Sequence, residues 1–228
     1  MRAKELVSPN AEDELRAIAS RHGSLLETAL RKRGLSRIAG IDEAGRGPLA
    51  GPVVACAVIL PLRMHLPKLT DSKLLSVHDR QALYTLLTTS NNVAFATAEV
   101  DHEEIDRINI LQASLKAMYL AAEKLSVQPN AAIVDGPFSP TAFSVPCFAV
   151  VRGDRLCRSV SAASVIAKVV RDQIMREFDA QWPQYGFAQH SGYGTDLHMK
   201  RLLEHGPCPI HRKTFAPVAR LLVPAQRP

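Results

Sequence analysis

Two apolar runs of β character, residues 37–43 and 52–60, are separated by little more than a glycine-rich turn. So short a connection favours an antiparallel pair, because a parallel partner needs a long crossover. The first run ends in two adjacent acids, Asp42 and Glu43, and feeds a segment with glycine at 45, 47 and 51 around Arg46. Glycine permits backbone angles that other residues avoid and allows close approach by a ligand. Acids, a cation and bare N–H groups at a strand end suggest a metal-assisted phosphate site, although a solvated acid-and-glycine turn accounts for the same residues. Neighbouring strand residues point to opposite faces, so both acids reach one metal only if the strand ends or bulges at Glu43.

The rest of the chain alternates helix and strand signals. Residues 8–33 carry acids in a first turn, Leu15, Ile18, Leu26 and Leu30 at helical spacing, a possible break at Gly23, and a basic end before Gly34. Ser76 followed by Asp79 starts a helix over 77–88, and residues 93–100 read as a strand. Asp101 and Glu104 form a capping box opening one long helix to about Leu125. Asp101, Glu103, Glu104 and Asp106 fit as partners of that helix dipole rather than as ligands. Residues 131–137 make a buried strand stopping at Asp135 before Gly136-Pro137, and another strand, 148–151, ends in Arg-Gly-Asp at 152–154. Acids beyond strand ends in α/β sheets are better placed for ligands than acids in loops, which favours Asp135. A helix rich in small residues spans about 161–182, able to lie close to a sheet; its Ser164, Lys168 and Asp172 form one polar stripe. By spacing alone, Lys168 and Asp172 are an ordinary ion pair. Residues 183–217 are loop-like, with a helical stretch near 195–205. The class is α/β with one short antiparallel pairing.

Composition narrows the function. The chain has 28 Lys+Arg against 22 Asp+Glu, a net +6 that suits a nucleic-acid partner. No apolar run is long enough to span a membrane and the start lacks a signal-peptide pattern, so a cytoplasmic location is expected. The four cysteines, Cys56, Cys147, Cys157 and Cys208, are too scattered for zinc and are expected to be reduced. All-oxygen acids without a His/Cys cluster select Mg²⁺ or Mn²⁺. Two such ions can activate water and stabilise a leaving 3′ oxygen in phosphodiester cleavage.

The motifs GIDEAGRGPLAGPVV (40–54), Asp71-Ser72-Lys73, DRINILQASLKAM (106–118), VDG (134–136), SAASVIAKVVRD (161–172), HSGYGT (190–195) and HRKTFAPV (211–218) occur in one family's order. Over residues 36–218 the chain closely resembles bacterial ribonuclease HII. The resemblance implies a ribonuclease H-like three-layer fold, a mixed central β-sheet flanked by helices with a helical C-terminal portion. It implies hydrolysis of the RNA strand of RNA–DNA hybrids, and nicking 5′ to single ribonucleotides in DNA to leave a 3′-hydroxyl and a 5′-phosphate, as ribonucleotide removal in replication and repair requires. It carries the four metal-site acids onto Asp42, Glu43, Asp135 and Asp172, with Mn²⁺ or Mg²⁺ as cofactor. Gly45, Arg46, Gly47 and Tyr193 are implied to hold the ribonucleotide 2′-hydroxyl and the junction, with Lys73 a candidate phosphate contact. The 2′-hydroxyl is what separates RNA from DNA at a site. Arg46 and the short lead-in favour type HII over HIII, which typically has Gly-Lys-Gly there.

Leu74 replaces a usual lysine, and Arg155-Leu156-Cys157-Arg158 is more basic than the pattern. The resemblance divides the chain into an N-terminal helical extension (1–34), a catalytic domain (35–222) and a tail (223–228). A monomer acting on hybrids and ribonucleotide-containing DNA is expected. The tail has no Gln-plus-aromatic clamp-binding peptide, so a sliding-clamp partner is unsupported. A hybrid-binding module without cleavage would not need four intact acids, and a metabolic phosphatase would not need the Gly-Arg-Gly and Tyr193 features.

Overall fold

The computed structural model describes residues 9–222. The first residues of the predicted extension and the tail 223–228, on which the clamp-peptide expectation mostly falls, lie outside the described residues. Five strands, β1 (Ile38–Ala44), β2 (Val53–Ile59), β3 (Ala94–Val100), β4 (Ala131–Asp135) and β5 (Cys147–Val150), form one sheet in the order β3-β2-β1-β4-β5. β1 pairs antiparallel with β2 as the short turn requires, and parallel with β4; β4 pairs parallel with β5. β2 also pairs antiparallel with β3, so the sheet holds two antiparallel pairings rather than one. All seven residues of β2 are buried, which a strand covered by helices on both faces demands.

One layer comprises α4 (His102–Ile108) and α5 (Ile110–Glu123). Ala113, Ala117 and Ala121 of α5 bury against Ala39, Ile41, Val53, Ala55 and Ala57. The predicted single helix over 101–125 is therefore two. Asn109 (φ 68°) breaks it, and its Oδ1 accepts from the N–H groups of Leu111 and Gln112, capping α5. Asp101 caps α4 as expected, through the N–H of Glu104. Asp106, expected to serve the dipole, instead accepts from the backbone of Lys213 and Thr214 and so ties α4 to the C-terminal segment.

The other layer contains α1 (Pro9–Arg21), α2 (Gly23–Lys32), α3 (Val77–Thr89), α6 (Gly153–Leu156) and α7 (Arg158–Gln181). The break between α1 and α2 falls at His22, beside the predicted Gly23. Leu15, Leu26, Leu30 and Leu35 pack on Ile38, Ile133, Phe148 and Val150, so these helices share a core with β1, β4 and β5. α7 starts three residues before its predicted position and buries Ala162, Ala163 and Ala167 among Cys56 and Val58. It lies against β1 at Gly40, where an added Cβ would sit 2.1 Å from the Ser159 carbonyl carbon. α8 (Phe187–His190), α9 (Asp196–His205) and α10 (Ala216–Leu222) complete the described chain, and α9 matches the predicted helical stretch. No helix of the described residues is long and apolar enough to cross a membrane.

Candidate active site

The register of the parallel β1–β4 pair decides where the acids meet. Its last rung is Ile41 opposite Val134, which leaves Asp42 and Asp135 as the next residues of each strand. From there β1 continues only against β2, and Asp135 pairs with Val150 of β5. The ladder opens at the C-terminal ends of two parallel strands, where α/β sheets form ligand crevices. Asp154 of α6 enters the same crevice, and its backbone N–H donates to Asp135 Oδ1 at 3.3 Å. Asp42, Asp135 and Asp154 each offer a carboxylate oxygen within 4.8 Å of the others.

The expected break or bulge at Glu43 is absent: β1 keeps its register with β2 through Glu43 and Ala44. Glu43 reaches the site because it stands past the end of the β4 ladder, on an open strand flank, and its carboxylate lines the same cleft. Glu43 Oε1 lies 3.4 Å from Arg46 Nη1, while Oε2 is buried without a hydrogen-bond partner.

The cleft, about 350 Å³, is lined by Asp42, Glu43, Asp135, the Gly45–Gly47 turn, Lys73, Ser164, Lys168 and Tyr193. Burial, reinforced by Glu43 and Asp135, pushes the Asp42 carboxyl well above the usual carboxylate range. Burial raises Glu43 too, against the pull of Arg46, and Asp154 is pushed up to about 6 by burial and then by Asp135 and Asp71. A buried, mutually repelling all-oxygen set with an orphaned Oε2 fits a hard divalent cation, which would relieve both the repulsion and the unmet acceptor.

Asp172 is not part of this set. Its Oδ1 accepts from Lys168 Nζ at 2.6 Å and from Ser191 Oγ at 2.9 Å. Ser164, about two turns earlier on α7, lies beside Asp42, whereas Asp172 is not among the residues lining the cleft. Asp154, which was not among the expected acids, is the residue that stands beside Asp42 and Asp135 in space. The available signal was the Arg-Gly-Asp after β5, which repeats the acid-beyond-a-strand grammar of Asp135.

Opposite the acids, the Gly45–Gly47 turn faces Tyr193: a Cβ added to Gly47 would lie 3.6 Å from the Tyr193 ring. Gly45 takes φ 103°, and its own Cβ would strike Arg171 Nε at 2.2 Å, so the turn tolerates only glycine there. Lys73 enters on a loop set by Asp71, which accepts from the Lys73 N–H at 2.9 Å. Arg155, one of the unusual basic residues, donates to Asp71 Oδ2 at 3.0 Å and so supports that loop. Leu74 is exposed.

Tyr193 is held from behind by a buried histidine pair. The Cys208 N–H donates to His211 Nδ1 (3.0 Å), which leaves His211 Nε2–H to donate to His198 Nε2 (3.1 Å) and His198 Nδ1–H to donate to the Tyr193 carbonyl (2.9 Å). Burial holds both rings neutral, their pKa values lowered to about 4.

A profile of the ribonuclease HII family matches residues 39–218. A ribonuclease HII of Geobacter metallireducens is 47% identical over 198 residues, covering 87% of this chain and 92% of that protein. Among solved structures, the ribonuclease H2 of Pyrococcus horikoshii OT3 superposes with a TM-score of 0.66 at 25% identity, covering 81% of this chain and 96% of that one. The ribonuclease HII of Archaeoglobus fulgidus, solved in complex with PCNA, gives a TM-score of 0.63 at 27% identity over 78% of this chain and 95% of that one.

Proposed function

The chain belongs to the ribonuclease HII family, and from that premise we propose that it is a metal-dependent endonuclease cutting RNA strands in RNA–DNA hybrids and nicking DNA 5′ to single ribonucleotides. The observation that carries this reading is the convergence of Asp42, Asp135 and Asp154 within 4.8 Å beside the Gly45–Gly47 turn. Asp42, Glu43, Asp135 and Asp154 would hold Mn²⁺ or Mg²⁺. When bound, a pair of such ions supplies an activated water and charge stabilisation for the leaving 3′ oxygen, giving a 3′-hydroxyl and a 5′-phosphate.

The chain's own residues select and orient the substrate. The ribose is read in the cleft that the Gly45–Gly47 backbone and the Tyr193 ring both line, where the 2′-hydroxyl meets peptide N–H groups. Lys73 and Lys168 flank the acids and offer cations to the phosphates on either side of the cut. Burial opposes the Lys73 charge, but Asp71, Asp42 and Asp154 outweigh it and raise its pKa, so this cation persists in the cleft. Asp172 acts one step back, fixing Lys168 and the Ser191 end of the Tyr193 loop.

The deciding assay uses a DNA duplex carrying one ribonucleotide, incubated with Mn²⁺ or Mg²⁺. A single nick immediately 5′ to the ribonucleotide is expected. Tight binding without cleavage at every metal concentration would overturn the assignment in favour of a hybrid-binding module. The Tyr193→Ala variant is expected to lose rate selectively on single-ribonucleotide junctions; an unchanged junction rate removes Tyr193 from the sugar site.

A further inference from the structure

Two arginines are fully buried beneath the Gly45–Pro52 segment. Arg212 donates from Nη2 to the Gly45 carbonyl (2.6 Å), from Nη1 to the Arg46 carbonyl (3.0 Å), and from Nε and Nη2 to the Gly51 carbonyl (3.0 and 2.9 Å). Arg171 donates to the carbonyls of Pro52 (3.0 Å), Ala50 (3.2 Å) and Ser191 (2.9 Å). Among the described residues neither guanidinium forms an ion pair; backbone carbonyls accept their hydrogen bonds, and the Tyr193 and Phe215 rings lie 5.9 and 5.0 Å from the Arg171 and Arg212 centres. Burial pulls their pKa values down, to about 10 for Arg171 and about 9 for Arg212, so both remain charged at neutral pH. Burying a cation without a carboxylate is costly, and a hydrophobic side chain could fill the same space. The arrangement therefore needs a reason beyond packing.

We propose that Arg212 is the positioning residue of the sugar-reading turn: its guanidinium turns two successive peptides so that the N–H groups of Arg46 and Gly47 face the cleft. In a trans peptide the C=O of one residue and the N–H of the next point in opposite directions. Drawing the Gly45 and Arg46 carbonyls inward onto Arg212 thus drives the Arg46 and Gly47 N–H groups outward, on the side where these residues line the cleft. Among the described residues neither N–H has an intramolecular partner, so both are free to donate to a ribose oxygen. Arg171 fixes the other end of the turn and, through Ser191, the loop bearing Tyr193, so the two walls of the slot are referenced to one pair of cations. A lysine in place of Arg212 would keep the charge but lose the planar fork that holds three carbonyls at once.

This inference rests on the reading of the Gly45–Gly47 turn as the ribose sensor, and the test separates the two. Affinity is measured with Ca²⁺ in place of the catalytic ion, for a DNA duplex containing one ribonucleotide and for the same duplex without it. In Arg212→Lys the preference for the ribonucleotide duplex is expected to collapse towards parity; an equal loss on both duplexes, or no loss, overturns the role of Arg212. Gly47→Ala adds a methyl beside the Gly47 N–H, in contact with the Tyr193 ring at 3.6 Å. If Gly47→Ala keeps the preference, the ribose-sensor reading itself fails; if it loses the preference while Arg212→Lys keeps it, only the present inference fails. Should Arg212→Lys not fold, Arg212→Gln is measured in the same way: loss confined to the ribonucleotide duplex is expected, and an equal loss on both duplexes, or none, overturns the role of Arg212.

Discussion

Replacing Asp154 with asparagine is expected to stabilise the metal-free protein while stopping it from cutting. Asp154 offers a carboxylate oxygen within 4.8 Å of both Asp42 and Asp135. At an effective dielectric of about 20, two like charges at that separation repel by roughly 3.5 kcal/mol. The cleft opens to water, so screening reduces the combined relief to about 1–2 kcal/mol. For a chain of this length that raises the melting temperature by about 2–8 °C. The pH dependence has a definite sign. The folded carboxyl titrates at about 6 against an ordinary value of 3.8, so the folded state binds the proton more tightly. The charged carboxylate therefore destabilises the fold most above pH 6, and the advantage of asparagine fades as pH falls towards 4. Asp172→Asn is expected to behave oppositely. It weakens the contact with Lys168 at 2.6 Å and so costs about 1–2 kcal/mol, with cutting slowed but retained. The assay is thermal unfolding at pH 8 with chelator, paired with cleavage of a single-ribonucleotide duplex in Mn²⁺. A rise in melting temperature with lost cutting for Asp172→Asn, and not for Asp154→Asn, would refute the assignment of the fourth acid.

Three further outcomes follow from the same geometry. Mn²⁺ at about a hundred times its dissociation constant is expected to add roughly 2.7 kcal/mol of stability at pH 8. The gain shrinks at pH 5, where Asp154, titrating at about 6, retains its proton; an equal shift in calorimetry at both pH values would contradict the ligand set. Gly40→Ala places a methyl 2.1 Å from the Ser159 carbonyl carbon and is expected to cost about 2 kcal/mol or more by forcing α7 off β1. Denaturant unfolding within about 0.5 kcal/mol of the wild type, the scale of neutral surface changes, would show that this contact yields freely. The His198–His211 pair, with folded pKa values lowered to about 4 from 6.5, contributes stability that is full above pH 6.5 and lost as pH falls towards 4. Melting curves of His211→Gln should be flatter than wild type across that range; parallel curves would remove the pair as the source.

The features written in local sequence were legible: the β1–β2 pair across its glycine turn, the Ser76 and Asp101 caps, the small-residue face of α7 and α9. Each depends on residues a few positions apart, and propensity, capping and periodicity act over that range. The Lys168–Asp172 ion pair belongs with them, since i, i+4 spacing describes the contact the structure contains. The α4–α5 break is harder to see locally, because it turns on the positive φ of Asn109, which helical periodicity on both sides conceals.

That Asp154 joins Asp42 and Asp135 follows from the tertiary fold. Asp42, Asp135 and Asp154 come from β1, β4 and α6 just after β5, and only the insertion of β4 between β1 and β5 aligns their ends. The fold also decided that Glu43 can share the cleft without a bulge, because the β4 ladder stops at Ile41, two residues before Glu43. Nothing local in the sequence marks Arg171 or Arg212 as buried, yet both are. Their burial depends on carbonyls that the Gly45–Pro52 turn leaves unpaired, more than a hundred positions away in the chain. Local sequence specified most of the elements and the chemistry available to them. The fold decided which charges stand together, because electrostatic and hydrogen-bond partners are chosen by distance in space, to which spacing along the chain is blind.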